Sequence, residues 1–472
     1  MNKKKLLAEN FVIYGLGQML YKIIPVVMLP VLVRMIPDSS RCLGINDLAG
    51  TLVSFVSAVG LMGLYDALFR LFFDYTDEQI KKRRQICSTA LLLTVFFSTA
   101  CLILVVFFRR SISAFFFEDR SLENLVILCG INVVLSNVEN ILLTPTRMLN
   151  ERKRFIAGNV LVSIFSYSVA FLLIVNGYYI IALPLGMTLS LVSGILYFGY
   201  YNSAWFRIGA FSKKQVKPLL KIGVPLFPSF LIFWVFSSFD KVMILKMLGV
   251  GANGLYAAAN KLASVSQLIT SAFAAGWSYF NFATMNDEKR VEDFSKIVEY
   301  ILAVGAGAFL VCRISGSWII RLFFTEAYKD AGSVFSYLFF APVVCMCFQL
   351  MGSQFLLVKK TVLSTLIAGS GVAVNILFNY IWIDQYQVLG AGMATVVSYM
   401  VILVIAGFVL MKMRLFRVHA GMLLALLFFG MMLCLDCLQI NHSIIALAGT
   451  VMLACLSGWY VKKLKKCHKE AP

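Results

Sequence analysis

Charge is scarce in this chain, and acidic charge scarcer still: 472 residues hold 23 Asp and Glu against 42 Lys and Arg, and charged residues of both signs make up 14%. A soluble chain carries nearer a quarter. With 60% hydrophobic residues and a mean hydropathy of +0.85, most of this one belongs in hydrocarbon. Histidine is almost missing: His419, His442 and His468 are the three, scattered over the last tenth, and they build no metal centre. Paired cysteine spacing is missing too. Cys87, Cys101, Cys129, Cys312, Cys345, Cys347, Cys434 and Cys455 lie within or beside apolar stretches, which excludes a zinc site or a secreted disulfide framework and leaves them as small apolar residues. Long loops on the less basic side are also lacking. That removes the surface on which membrane polymerases, ligases and glycosyltransferases carry catalytic carboxylates or histidines, and Asp38 and Asp47 stand too far apart for an Asp-x-Asp metal pair. No enzyme activity, metal or cofactor is expected.

The net charge of +19 would suit nucleic acid if the basic residues formed a patch, but they fall in short clusters between apolar runs. That is how an inside-positive membrane protein distributes Lys and Arg, so nucleic acid is not an expected partner. Met1 to Lys5 followed by an apolar run imitates a signal peptide; the run 11–36 is too long for one, has no small-residue cleavage site, and reads as a first span.

A span needs about 20 mostly apolar residues. Such windows fall at 11–36, 48–73, 86–108, 122–147, 155–175 and 179–204; then at 218–247, 254–282, 296–324, 333–357, 361–383 and 388–411; and finally at 419–437 and 443–461. The expected fold is all-α, a polytopic membrane protein of about fourteen helices. Its expected parts are an N-terminal six-helix lobe (1–204), a basic linker (205–217), a C-terminal six-helix lobe (218–411), and two further helices with a basic tail (412–472). The alternate short loops and the two ends hold 29 Lys and Arg on one side against 5 on the other, namely Arg41, Arg109, Arg110, Arg120 and Lys329. Both termini are therefore expected in the cytoplasm, with the protein in the inner or plasma membrane.

A faint repeat sets Phe73-Asp74-Tyr75-Thr76-Asp77-Glu78 against Ala283-Thr284-Met285-Asn286-Asp287-Glu288, and at the same offset Arg34 falls on Lys241. Parallel repeats about an axis along the membrane normal place a substrate cavity between the halves. A charge at mid-membrane costs about 2.5–3.5 kcal/mol on insertion scales, so each one faces a bundle interior or a wet cavity. Lys22 shares a face with Gln18 and Pro25 and has no acid on its own helix; its options are a cavity, or an ion pair with Asp66 or Glu139. Asp66 and Arg70 have the spacing for mutual neutralisation on one helical face, or for a substrate or coupling role. Asn132, Ser136, Glu139, Asn140 and Thr144 form one polar stripe, and Asn260, Ser264, Gln267 and Ser271 a second; both favour a hydrated cavity over simple helix adhesion. Asp240 and Lys241 are adjacent and point apart, Lys246 snorkels, Lys261 begins the next helix, and Arg313 and Arg321 read as interfacial or structural. Pro25 and Pro30 in the first span, with Pro225 and Pro228 in the seventh, allow kinks that either rock or stay fixed. The last two spans hold only Asp436 as a charge and read as an appendage, bordering a lipid-tail groove or an oligomer contact.

The runs Asn10-Phe11-Val12-Ile13-Tyr14-Gly15-Leu16-Gly17, Gly63-Leu64-Tyr65-Asp66-Ala67-Leu68-Phe69-Arg70, Ile222-Gly223-Val224-Pro225-Leu226-Phe227-Pro228-Ser229 with Ser237-Ser238-Phe239-Asp240-Lys241, and Gly254-Leu255-Tyr256-Ala257-Ala258-Ala259-Asn260-Lys261-Leu262-Ala263 are together similar to the polysaccharide-type flippases. These are the O-antigen and capsule oligosaccharide translocases of the multidrug/oligosaccharidyl-lipid/polysaccharide exporter superfamily. The resemblance runs through the twelfth span; Pro37 to Gly44 departs from the Glu-Tyr-Gly-like pattern expected there. It implies alternating access of two six-helix lobes that move an undecaprenyl-pyrophosphate-linked oligosaccharide between leaflets in contact with membrane lipid. Lys22, Arg34, Arg70, Lys241 and Lys261 are the expected substrate-binding residues, since cations outnumbering acids in a dry cavity suit a pyrophosphate. Asp66, Glu139 and Asp240 are expected to bind a coupling proton or sodium ion, and a polysaccharide polymerase is a possible partner. A multidrug exporter, for which an acidic cavity is expected, a peptidoglycan-precursor flippase, a membrane polymerase or ligase, and a scaffold without transport are the alternatives.

Overall fold

In lipid every backbone N–H and C=O must be paired within the chain, which leaves long apolar segments the helix as their local solution. The computed structural model describes residues 23–75, 79–283, 290–358, 360–440 and 442–469. Lys22, the run Asn10–Gly17, and most of the repeated acidic segments (76–78 and 284–289) lie outside them. The described residues are helical without strands, and eleven of their helices are long and apolar enough to cross a membrane. Two shorter apolar helices, Ile23–Val33 (α1) and Ser443–Ala454 within α16, accompany them.

The chain divides into two compact units, Met1–Gly254 and Leu255–Pro472. The first holds α1, α2 (Ser39–Leu61), α3 (Leu64–Phe72), α4 (Ile80–Phe107), α5 (Arg109–Phe116), α6 (Glu123–Met148), α7 (Arg152–Val175), α8 (Tyr179–Tyr201), α9 (Lys213–Leu248) and the start of α10 (Val250–Ala283). The second holds the rest of α10 with α11 (Arg290–Phe323), α12 (Ala331–Leu357), α13 (Thr361–Tyr386), α14 (Val388–Lys412), α15 (Ala420–Cys437) and α16 (His442–Lys469).

The span expected over 48–73 does not run through. It begins nine residues earlier, at Ser39, and stops at Leu61 because Met62 and Gly63 are both left-handed, at φ 45° and 70°. Gly63 also lies against the backbone of Gly223 in α9, where a β-carbon would sit 2.6 Å from the Gly223 carbonyl oxygen. A side chain there meets two costs at once: a left-handed backbone, about 1–2 kcal/mol, and a clash with rigid backbone, about 1–3 kcal/mol. Gly63→Ala is expected to destabilise the protein by about 2 kcal/mol or more, read as a lowered unfolding midpoint in mixed micelles.

Packing in the first unit is tight at both ends. Ile45, Leu48, Val126, Cys129, Val133 and Leu245 form one buried cluster; Leu64, Leu68, Phe72, Ile86, Cys87 and Ile141 form another. Cys87 and Cys129 are thus core residues, as small apolar side chains should be. By contrast, α9 runs helical through Pro218, Pro225 and Pro228 without a break.

In the second unit Phe309 of α11 lies at the centre of an aromatic cluster with Tyr337 and Phe340 of α12 and Phe428 and Phe429 of α15, and a stacked Phe340–Phe429 pair at 4.0 Å joins α12 to α15. Beside it the Arg313 guanidinium donates to Asp436 at 2.5 Å, and the Tyr337 hydroxyl donates to the same carboxylate at 2.6 Å. Arg313 is therefore structural, as its sequence context indicates, but Asp436 is no stray charge on an appendage: it fastens α15 to α11 and α12. His419, just before α15, lies 3.1 Å from the buried Glu299 of α11.

Candidate functional site

One face of α2 carries Asp47, Thr51 and Ser54, spaced at i, i+4 and i+7, and that face meets α9. The helices run antiparallel. Lys241 pairs with Asp47, Nζ to Oδ1 at 2.9 Å; two turns earlier on α9 the Trp234 indole N–H donates to Ser54 Oγ at 3.0 Å; further along still, Gly223 meets Gly63. The other Asp47 oxygen accepts from the Asn253 side-chain amide at 3.3 Å, and that same amide donates to the Gly44 carbonyl at 3.3 Å. Asp240, buried at 5% exposure, accepts the backbone N–H of Lys241 at 2.8 Å.

This seam puts one ammonium among two carboxylates, with Lys241 and Asp47 only 13% and 19% exposed. By sequence Lys241 and Asp240 fall inside the bundle, but their neighbour on α2 does not. The difference is Asp47. A span starting at residue 48 leaves it in a loop, while the helix beginning at Ser39 carries it into the bundle as the direct partner of Lys241. Its spacing with Thr51 and Ser54 was the signal that identifies it.

The other expected site residues are dispersed. Arg34, at the end of α1, is exposed. Arg70 turns away from Asp66 to bind Asp74 at 2.5 Å, so the expected neutralisation within α3 is not made. Asp74 sits in the turn closing α3, where its carboxylate reaches the last helical turn. Asp66 stays half-buried, and its neighbour Tyr65 accepts a hydrogen bond from Arg147. Lys261 is half-buried on α10 in the second unit. Lys246 reaches over the Phe115 ring and donates to the Phe115 carbonyl at 2.6 Å, tying α9 to α5.

The α6 stripe divides in two. Asn132 is buried and donates to the Pro184 carbonyl of α8 at 3.2 Å; Thr144 is buried on the Asn140 carbonyl; and Asn137, on an adjoining face, joins Ser98 of α4 at 2.9 Å. The Asn132 and Asn137 bonds join α6 to α8 and α4, whereas Thr144 turns back onto its own helix. Glu139 is different. It is half-buried beside Gly194 of α8, where a β-carbon would overlap Glu139 Oε1, and among the described residues no cation pairs with it. In the α10 stripe, Ser264 and Ser271 turn back onto their own helix.

At the end of the unit where α2 begins, three arginines meet carboxylates. Arg109 and Arg110 each donate to Glu123 at 3.1 Å, and Arg41 reaches Asp119 at 3.3 Å. The Ser121 hydroxyl and N–H, with a smaller contribution from Arg41, hold the exposed Asp119 carboxyl below the usual carboxylate range.

Residues 31–333 match the family described as polysaccharide biosynthesis protein. The chain belongs to that family. This polysaccharide biosynthesis protein also shares its fold with solved transporters. A lipid II flippase, MurJ, in an inward closed conformation superposes with a TM-score of 0.72 at 16% identity, over 96% of this chain and 99% of that one. An inward-facing multidrug resistance MATE family transporter of the MOP superfamily superposes at 0.65 and 16% identity, over 84% and 94%. A MOP superfamily transporter from Pyrococcus furiosus, described by the reverse polarity of its binding pocket, superposes at 0.61 and 15% identity, over 87% and 96%. No curated protein sequence matches the chain. A multi-pass, all-helical membrane protein with a MOP-type transporter fold is therefore what the family has here.

Proposed function

We propose that this protein is a flippase that moves a lipid-pyrophosphate-linked oligosaccharide repeat unit across the bacterial cytoplasmic membrane for surface polysaccharide synthesis, by alternating access and without enzymatic chemistry. The observation that carries the reading is that one chain joins a polysaccharide biosynthesis family match over 31–333 to a fold shared, over 96% of its length, with a lipid II flippase. Both termini lie in the cytoplasm, following the asymmetry of Lys and Arg. The substrate is an undecaprenyl-pyrophosphate-linked oligosaccharide, and a polymerase partner receives it on the outer face.

In this scheme Lys22 and Arg70 capture the pyrophosphate, and Arg34, Lys241 and Lys261 guide it outward. Lys241 exchanges its Asp47 carboxylate for a phosphate oxygen, keeping a charge-assisted hydrogen bond in both states. Asp66, Glu139 and Asp240 serve the coupling proton or sodium ion. Glu139 is the best placed of them, because no described cation pairs with its half-buried carboxylate and Gly194 of α8 leaves room beside it inside the helix bundle. A peptidoglycan-precursor flippase is the second reading, favoured by the likeness to the lipid II flippase.

The test is leaflet exposure of a lipid-linked oligosaccharide in proteoliposomes holding the purified chain. Movement of that lipid supports the reading; movement of cationic drugs without the lipid replaces it with a multidrug exporter, and movement of a peptidoglycan precursor alone selects the second reading. Glu139→Gln is expected to slow gradient-driven movement about tenfold, or about 1.4 kcal/mol in barrier, while exchange without a gradient continues. Equal loss of both would place Glu139 outside the coupling step.

A further inference from the structure

Opposite the end where arginines meet carboxylates, the first unit opens a cavity of about 700 Å³ between the start of α4 and the segment joining α8 to α9. Its lining is Ile80, Lys81, Arg84 and Gln85 from one face of α4, with Arg207, Gly209 and Ala210 opposite. Among the described residues no acid lines it, and none of Lys81, Arg84 and Arg207 forms a salt bridge. Three neighbouring cations repel one another unless an anion sits among them. Arg84 adds a sharper sign: its Nε is buried and, among the described residues, donates to nothing. A buried donor without an acceptor is uncommon and calls for one from outside the chain.

The walls are held in place. Ser88 Oγ accepts the Arg207 N–H at 3.0 Å and donates to the Trp205 carbonyl at 3.4 Å, and Thr89 Oγ1 accepts the Ser212 N–H at 3.1 Å. These bonds fasten the α8–α9 connection to α4 on both sides of the cavity. Next door, Arg83 donates to the Tyr75 carbonyl and lies over the Phe72 ring, so the first turn of α4 is fixed as well. The volume is that of a small-molecule site, and guanidinium groups match the geometry of phosphate oxygens.

We infer that this cavity is a binding site for a phosphate or diphosphate group, lined by Lys81, Arg84 and Arg207 and separate from the Lys241–Asp47 seam. The group comes either from an anionic phospholipid headgroup at the membrane surface or from a soluble phosphate compound. The inference does not depend on which lipid the transporter moves.

The full-length protein in detergent tests it by two probes, phosphatidylglycerol retention by native mass spectrometry, with phosphatidylcholine as the neutral comparison, and inorganic diphosphate binding by calorimetry. Arg84→Gln/Arg207→Gln is expected to weaken at least one probe about tenfold, with an unfolding midpoint near that of the native protein. Loss of phosphatidylglycerol alone identifies a headgroup site, loss of diphosphate alone a soluble ligand, and loss of both a site that takes either source. If the double variant does not fold, the exposed Lys81→Gln replaces it and is expected to weaken the same probe about threefold. The inference is overturned if native protein binds neither anion, if it retains phosphatidylcholine as well as phosphatidylglycerol and does not bind diphosphate, or if the folded variants bind both anions as the native protein does.

Discussion

Lys241→Ala is expected to lower both protein abundance and lipid movement, while Asp47→Ala/Lys241→Ala restores abundance and leaves movement absent. The single substitution leaves the Asp47 carboxylate, 19% exposed, with only the Asn253 amide as a side-chain donor. Breaking such a pair from one side costs about 3–5 kcal/mol, because an uncompensated charge stays in a low-dielectric place. Removing both partners takes away the desolvated charges together, and replacement of buried pairs is often close to neutral. Stability should therefore return in the double variant. Transport should not, because the ammonium proposed to meet the pyrophosphate is still missing. Unfolding midpoints and leaflet-exposure rates, measured on native, single and double variants, separate the two effects. If movement returns with stability in the double variant, Lys241 only holds α9 to α2, and the phosphate contact must be sought elsewhere.

The same pair shows where sequence reasoning reaches and where it stops. That Lys241 is a charge inside an apolar helix was legible, since hydropathy around it leaves no other placement. Its partner was not. Hydropathy windows locate the centre of a span well and its ends poorly, and a boundary misplaced by nine residues moved Asp47 from the bundle to a loop. That one residue is the direct partner of Lys241. Arg70 shows a related limit: Asp66 and Asp74 are each four residues away, helical spacing admits both, and only the turn after Phe72 decides for Asp74. By sequence the α6 stripe favours a hydrated cavity over helix adhesion, and its members divide between the two. Asn132 turned out to be glued to the Pro184 carbonyl, while Glu139 has room made for it by Gly194, a residue 55 positions away whose lack of a side chain carries no periodic signal.

Helices were legible for a stronger reason. In hydrocarbon the backbone has no other way to pair its polar groups, so twenty apolar residues and a helix are nearly one statement. The interruption at Gly63 escaped because Gly occurs inside membrane helices as readily as at their ends; its positive φ and its contact with Gly223 are tertiary facts. The basic clusters were legible as topology signals, but the cavity that Lys81 and Arg84 form with Arg207 joins residues more than 120 positions apart. No reading along the chain brings those together.

Asp436→Ala is expected to have the largest effect of any substitution in the second unit. Asp436 is 4% exposed and takes the Arg313 guanidinium, itself 7% exposed, together with the Tyr337 hydroxyl. Its loss removes the carboxylate facing a buried cation and takes the acceptor from a buried phenol; the first alone costs about 3–5 kcal/mol. Such a loss compares with the whole stability of a typical domain, about 5–15 kcal/mol. Protein should fall to a small fraction of native abundance, and what remains should unfold at a lower midpoint. Arg313→Met/Asp436→Leu, which removes both charges and keeps apolar volume, is expected to recover most of that stability, because among the described residues Tyr337 is the one further side chain that donates to the carboxylate. Recovery would show that the charge is there to fasten α15, not to move substrate, and lipid movement should recover with it. If movement stays absent in a well-folded double variant, the Arg313–Asp436 pair takes part in the transport cycle, and α15 moves with the core instead of merely bracing it.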